Sequence, residues 1–337
     1  MSLHMRNSRP VLQRNVLKNL TSYRKRQSIH LPLAVQLSSV LVQTDENGDL
    51  PELRKASSTS VAAQAKLKAQ NPLLSQAETV GIMGGVSVFS TLIFLEKLVW
   101  MSSREGKKCQ LPFVVCSDPE LGRKFSSCSS LGLHHTKSEQ TEFNHSSIIE
   151  NFRSIRAFLE QSGAHCIVMP CHVSHAWFGE VFEGCSLPVF HAGECIAREL
   201  KEANLKPLEA GSNVRIGLLA SHTTLAAGFY QEKLQNQQGF EVVLPDKATM
   251  EHVVIAATES LNRRDMEGAR NLLRIAIQVL LVRAVNTVII AYDEMLGLLP
   301  HDDPLLKKCV DPMDALARST VQWAKSVKNA PRRKNMK

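Results

Sequence analysis

The chain has 337 residues, 44% hydrophobic and 21% charged, which is the composition of a globular protein with about two domains. No apolar run reaches the roughly 20 residues of a membrane-spanning helix, so we expect no integral membrane protein. The net charge of +8 comes from the ends, because residues 1–44 hold 7 Lys or Arg and residues 325–337 hold 6, without acids. The 27 basic and 32 acidic residues between them predict no nucleic-acid partner.

The eight cysteines form no Cys-x-x-Cys pair and no Cys/His spacing typical of zinc. We therefore expect reduced thiols of an intracellular compartment and no metal site.

Residues 1–44 are rich in Arg and Ser and lack acidic residues. This composition predicts a transit peptide over residues 1–50, with an ordinary disordered basic arm as the alternative. The many Ser residues and the uncharged stretch 31–44 favour the chloroplast stroma over the mitochondrion. Residues 51–77 have the composition of a linker, and residues 326–337 form a basic tail that is either solvated or contacts an acidic partner.

A first α/β lobe is predicted over residues 78–210. It begins with a strand from Thr79, a turn at Gly84 and Gly85, and a helix that starts near Ser87. The N–H groups at a helix start favour an anion, but the glycine spacing is not that of a dinucleotide-binding fingerprint. No cofactor is expected.

The first lobe continues with a strand at residues 111–116 and a polar, Ser-rich stretch at residues 117–145. We interpret that stretch as a long loop, either a disordered excursion or an active-site lid. An amphipathic helix at residues 146–163 leads into a buried strand at residues 166–169. A short strand near residue 189 and a helix at residues 194–203 complete the lobe.

A polar turn, Pro-Cys-His-Val-Ser-His, follows the buried strand at the edge where open α/β sheets place their chemistry. A thiol between imidazoles and helix-opening N–H groups can react as a thiolate, so we expect Cys171 to be the most reactive of the eight thiols. The alternative is a small apolar cysteine that closes a core layer.

The same design is repeated over residues 211–325. A strand from Asn213 runs into a helix capped by residues 221–224, and a second strand lies at residues 241–244. Helices fill residues 249–285 with a break near 262–265, and a strand at 288–291 precedes Tyr292. The repeat predicts an α/β fold of two similar Rossmann-like or flavodoxin-like lobes with a pseudo-twofold relation and a cleft between them. A return of the carboxyl-terminal segment to the first lobe is left open.

Five separated motifs in order carry a resemblance to the aspartate/glutamate racemase family, whose members racemise amino acids without a cofactor. They lie at residues 81–91, 169–175, 216–224, 288–294 and 311–317. The resemblance implies a small amino acid or dicarboxylic acid as substrate, a homodimer, and Cys171 as one acid/base group. Its counterpart on the opposite wall is Tyr292 or Asp293. The implied substrate-binding residues are Gly84, Gly85, Ser87, His172, Val173, Ser174, Thr223, Thr224, His252 and Glu294.

The chain departs from the family motifs at four positions. Tyr292 stands where the second thiol is usual, and Asp293 where Thr follows it. His172 and Val173 replace the usual Asn-Thr, and the counter-charge for a distal carboxylate falls near His252. A free Tyr has a pKa of about 10 and a free Asp about 4, so either would need a large shift to match a thiol.

We interpret the chain as a racemase-like enzyme that transfers a proton at the α-carbon of a small carboxylate. Two alternatives remain open. One is a single-thiol decarboxylase or isomerase of a small carboxylic acid. The other is a binding or regulatory protein that has kept the cleft and lost turnover.

Overall fold

The computed structural model describes residues 76–103, 111–130, 139–208, 210–236, 238–295, 297–300 and 302–329. The predicted transit peptide, nearly all of the predicted linker and the end of the basic tail lie outside these residues. No helix in this part of the chain combines the length and apolar character that crossing a bilayer requires.

The first lobe is a parallel four-stranded sheet with helices on both faces, and its strand order is β2-β1-β3-β4. The strands are β1 Val80–Met83, β2 Phe113–Cys116, β3 Cys166–Val168 and β4 Val189–Phe190. The helices are α1 Val88–Ser103, α2 Pro119–Ser130, α3 Glu139–Gln161, the 3₁₀ turn Val173–Trp177, α4 Phe178–Phe182 and α5 Ala192–Glu202.

The second lobe repeats this topology with the order β6-β5-β7-β8, again all parallel. The strands are β5 Arg215–Ala220, β6 Glu241–Val243, β7 Thr287–Ala291 and β8 Cys309–Val310. The longer helices are α6 His222–Ala227, α7 Ile255–Asn262, α8 Met266–Leu281 and α9 Pro312–Asn329. Shorter helical segments are Phe229–Gln231, Glu232–Asn236, Lys247–Thr249, Met250–Val254, Asp293–Met295 and Pro304–Lys308. The expectation of two similar α/β lobes is confirmed.

Helices of both halves fill the space between the two sheets. Helix α9, the last in the chain, packs against α1 and α5 of the first lobe. The buried core between the sheets therefore combines strand residues of both lobes, such as Val80 and Leu218, with Met313 and Val321 of α9. Two separate apolar clusters cover the outer faces, one under α3 and one under α7 and α8.

The prediction of a polar loop over residues 117–145 is wrong, because α2 and the start of α3 lie there. Ser has a low intrinsic helix propensity, which hid both helices in the sequence. Asp118 starts α2 by accepting a hydrogen bond from the Glu120 N–H at 2.9 Å, and its other oxygen accepts one from Asn151 of α3 at 2.7 Å. Leu121 is fully buried on the same turn, so local capping and tertiary packing outweigh composition.

The predicted break between two helices near residues 262–265 is confirmed. Helix α7 ends at Asn262, and Asp265 caps α8 by accepting a hydrogen bond from the Gly268 N–H at 2.8 Å. Strand β8 is not predicted, because it has only two residues and no alternating pattern.

Candidate active site

The turns that follow β1 and β3 lie side by side, because these strands are paired in parallel from Val80 opposite Cys166. The Ser87 N–H, just before α1, donates a hydrogen bond to Cys171 Sγ at 3.4 Å. The neighbouring Val86 N–H donates to Ser174 Oγ at 3.1 Å. The glycine turn and the cysteine turn are thus in contact, and two backbone N–H groups of the first donate to side chains of the second.

Gly85 is required by this close approach. A Cβ atom at position 85 would lie 2.2 Å from Cys171 Cβ and 2.4 Å from Ser174 Oγ, distances that no side chain tolerates. Gly84 meets a similar limit, because its Cβ would lie 2.4 Å from Ser117 Oγ.

The thiol is buried rather than open to solvent. Cys171 is 1% exposed, whereas Cys116 and Cys185 are partly exposed. The Gly85 backbone and Ser174 pack directly on Cys171, and this burial argues against Cys171 as the most reactive of the eight thiols.

His172 joins the two lobes. Its ring is 4% exposed, with Nδ1 2.9 Å from the Tyr230 hydroxyl oxygen and Nε2 3.3 Å from Asp293 Oδ1. Both partners belong to the second lobe, so this first-lobe ring is held from both sides by the opposite half of the molecule.

Asp293 reaches across the lobe interface in the other direction. Its carboxylate accepts a hydrogen bond from Ser90 Oγ of α1 and forms the ion pair with His172. Burial lowers the pKa of His172, but the charge of Asp293 and the contact with it raise that pKa more strongly. Burial raises the pKa of Asp293, and the charge of His172 with the contacts of His172 and Ser90 lowers it overall. Both shifts favour the charged forms.

Tyr292, the other predicted partner of Cys171, contacts its own lobe. Its hydroxyl lies 2.9 Å from Thr258 Oγ1 of α7, and its ring packs on the apolar cluster under α7 and α8. Burial raises the pKa of this phenol, although the Thr258 contact opposes the shift, so the hydroxyl keeps its proton. Asp293, the other candidate, has polar contacts with the first lobe.

The predicted Thr-rich helix start lies near the cysteine turn, because α6 packs against Val173–Trp177. Thr224 is buried, and its N–H donates to Ser221 Oγ at 3.2 Å, which is an ordinary helix cap.

Thr223, His252 and Glu294 are exposed. Within the described part of the chain, no hydrogen bond or ion pair joins these three side chains to Cys171, His172 or Asp293. Val173 packs on the first-lobe core.

His175 is a buried residue whose ring contacts other protein groups. It is 3% exposed, its Nε2 lies 3.1 Å from the Met169 carbonyl oxygen, and its ring lies 4.3 Å from that of His191. Burial and the neighbouring His191 and His172 hold the pKa of His175 well below its usual value. The ring is therefore neutral.

Sequence reasoning missed two functional neighbours, Ser90 and Tyr230. Ser90 lies one helical turn after Ser87, whose hydroxyl accepts a hydrogen bond from the Ser90 N–H at 3.3 Å, and this spacing was the available signal. Nothing local in the sequence connects Tyr230 with His172. Among the residues that the structure describes, no three His, Cys, Asp or Glu side chains are grouped as metal ligands would be.

Comparison with known proteins identifies the family. The model of the Asp/Glu/hydantoin racemase family matches residues 83–320. The chain belongs to the Asp/Glu/hydantoin racemase family. Within the match to this racemase family lie the turns that carry Cys171 and Tyr292, the His172–Asp293 pair and residues 312–320 of α9.

Two solved structures resemble the fold of this family member. An aspartate racemase homologue from Pyrococcus horikoshii OT3 matches with a TM-score of 0.58 and 18% identity over 74% of this chain and 99% of that one. The aspartate racemase of Picrophilus torridus matches with a TM-score of 0.55 and 22% identity over 73% and 94%. An uncharacterized protein from the pnlA 3′ region of Pectobacterium carotovorum subsp. carotovorum is 26% identical over 148 residues, 44% of this chain and 92% of that protein.

Proposed function

We propose that this protein is a cofactor-independent, racemase-like enzyme of the aspartate/glutamate type. It transfers a proton at the α-carbon of a small amino acid, with Cys171 as the acid/base group. The hydrogen bond from the Ser87 N–H to Cys171 Sγ carries this proposal. A backbone N–H at a helix start stabilises a thiolate, which is the form of cysteine that accepts a proton.

The proposed step breaks the α-C–H bond of the substrate and forms an S–H bond on Cys171. The electron pair remains on the substrate as a carbanion next to its carboxylate. In D₂O the thiol exchanges its proton with solvent and returns a deuteron. The raised pKa of Tyr292 makes its phenol a weak proton donor for the other face, and Asp293 is already bound to Ser90 and His172. Return of the proton to the original face should therefore dominate.

Proton NMR of L- and D-aspartate and of L- and D-glutamate in D₂O measures loss of the α-proton, and the optical rotation of the same samples measures racemisation. One enantiomer should lose its α-proton while racemising about 10²–10⁴ times more slowly, the usual cost of one missing acid/base group. Cys171→Ser should abolish both reactions. Cys185→Ser should retain both, because that thiol lies 3.4 Å from Glu160 in the first lobe, away from both turns.

Equal rates of exchange and racemisation would mean that a second group works as an acid/base, and the expected preference for the original face would be wrong.

A second candidate, a binding or regulatory protein, is favoured by one observation: the polar groups of Tyr292 and Asp293 already have protein partners. Thermal stabilisation by an amino or dicarboxylic acid without any exchange, unchanged in Cys171→Ser, would support that candidate.

The homodimer implied by the resemblance is also proposed. Exposed apolar side chains on α1 offer a surface for it, namely Val88, Phe89, Leu92 and Val99. Light scattering should give the mass of a dimer for the wild type and of a monomer for Leu92→Arg. Ile275→Arg, at an exposed apolar position on α8, is the matched control and should remain dimeric.

We propose the chloroplast stroma as the location, from the composition of residues 1–50 alone. Fusion of residues 1–60 to a fluorescent reporter should direct it to plastids. A diffuse cytosolic signal would contradict the transit peptide, and a mitochondrial signal would select the other organelle.

A further inference from the structure

Two departures from the family motifs, one in each lobe, contact each other. His172 stands where Asn is usual and Asp293 where Thr is usual, and their side chains meet at 3.3 Å across the interface. They are 4% and 6% exposed. The two replacements are therefore one structural feature, an ion pair beside Cys171.

The carboxylate of Asp293 contacts two polar groups of the first lobe. One oxygen accepts from the Ser90 hydroxyl, and the other faces His172 Nε2. A hydroxyl and an imidazolium are also the partners that the carboxylate of a small ligand would need at this position.

The ion pair is close but poorly aligned. Neither His172 Nε2 nor Asp293 Oδ1 has a hydrogen bond of normal geometry, although both atoms are buried. A buried polar atom without a hydrogen bond is destabilising, so the contact is open to exchange for a better-aligned carboxylate. The other nitrogen of His172 is held by Tyr230, which keeps the ring directed at the interface.

We propose that Asp293 is an internal carboxylate that occupies an anion subsite formed by Ser90 and His172, and that a ligand carboxylate binds there by displacing it. The inference rests on the proposed function for the kind of ligand, a small carboxylate. It adds that the protein competes with its own ligand. The apparent affinity is then reduced by the fraction of molecules in which Asp293 remains in place.

Lys97 does not relieve this competition. It lies 2.7 Å from Asp311 and 2.6 Å from Asp314, so its charge already has two carboxylate partners. In the described part of the interface, His172 is the cation that a ligand carboxylate could take over from Asp293.

Calorimetric titration of succinate tests the proposal without requiring turnover. Asp293→Asn keeps the shape of the side chain and removes its charge, so it should bind succinate at least tenfold more tightly than the wild type at pH 6. Glu259→Gln removes one exposed acidic charge from α7 as the matched control and should bind as the wild type does. Asp293→Thr, the residue usual in the family, is a second variant in case Asp293→Asn fails to fold.

The double variant His172→Gln/Asp293→Asn shows whether the cation is the site. It should lose the tenfold gain, because neither a competing carboxylate nor an imidazolium remains. Without Asp293, burial leaves the pKa of His172 lower, so succinate binding to Asp293→Asn should take up a proton. Titration in two buffers of different ionisation enthalpy measures this uptake. Wild-type binding should take up less.

Folded Asp293→Asn and Asp293→Thr variants that bind succinate no more tightly than the wild type would overturn the proposal. Equal binding by the double variant and by Asp293→Asn would do the same. Both results are independent of the exchange experiment, because succinate has no α-amino group and needs no proton transfer. The two proposals can therefore be tested separately: either the enzyme activity or the competition by Asp293 can be wrong while the other is correct.

Discussion

Lys97 of α1 holds two carboxylates at the start of α9, with its Nζ 2.7 Å from Asp311 Oδ2 and 2.6 Å from Asp314 Oδ1. All three side chains are largely buried, at 12%, 14% and 13% exposure. Burial lowers the pKa of Lys97, but the two carboxylates raise it above its ordinary value, so the lysine stays charged. This cluster ties the last helix of the chain to the first.

We expect Lys97→Met to destabilise the protein by about 3–5 kcal/mol, because it leaves two carboxylates buried without a cation. Urea unfolding followed by circular dichroism measures the loss. Lys247→Met is the control, since that side chain is 88% exposed and should change the free energy of unfolding by less than about 0.5 kcal/mol. Equal stability of the two variants would show that the cluster contributes nothing.

Gly85→Ala should displace the cysteine turn. The added Cβ would lie 2.2 Å from Cys171 Cβ, so we expect a loss of about 1–3 kcal/mol from overpacking together with loss of α-proton exchange. Gly179→Ala is the matched control, because a Cβ there has no neighbour within 4 Å. Retained exchange in Gly85→Ala would mean that the position of Cys171 is not critical.

The order of thiol labelling should follow burial. Cys116 and Cys185 should be alkylated before Cys171, because Cys171 is 1% exposed and reacts only when its turn opens. Peptide mapping after timed treatment with iodoacetamide gives the rates. If Asp293 holds the interface closed, Asp293→Asn should label faster at Cys171 and unchanged at Cys185. Immediate labelling of Cys171 in the wild type would contradict the buried turn.

The stabilising coupling between His172 and Asp293 should depend on pH in both directions. The pKa of His172 is raised in the folded protein. The stability that His172 contributes is therefore complete below about pH 6.5 and is lost as the pH rises through that raised pKa. The pKa of Asp293 is lowered in the folded protein. The stability that Asp293 contributes is therefore complete above about pH 4 and is lost as the pH falls through that lowered pKa. The coupling should therefore be largest between these limits.

A double-mutant cycle of His172→Gln and Asp293→Asn, unfolded in urea at several pH values, measures this coupling. We expect about 1–3 kcal/mol near pH 5.5, with smaller values near pH 3.5 and pH 9. Other charges act on the pair, since Asp311 and Glu294 also raise the pKa of His172 and Lys97 also lowers that of Asp293. They are present in all four proteins and cancel in the cycle. A coupling that does not vary with pH would mean that the contact is not ionic.

The two lobes and both polar turns were predictable because apolar runs of four to six residues, each followed by polar residues, specify buried parallel strands. The site was only partly predictable. Neighbouring strands bring Ser87 to Cys171, and strand order follows from the βαβ pattern. The contact of Ser90 with Asp293 spans 203 residues and depends on how the lobes face each other, which no local pattern encodes. The same holds for Tyr230 with His172.

The position of α9 has a consequence for synthesis of the chain. The inner face of the first sheet, with Val80 and Val168, is covered partly by Met313 and Val321, which leave the ribosome about 150 residues after β3. The first lobe therefore cannot complete its core when its own strands have been made, and it exposes apolar surface until the last helix arrives. The two lobes are therefore expected to fold as one cooperative unit. A chain cut between residues 210 and 211 should give an amino-terminal half that aggregates and regains its structure only when the other half is present.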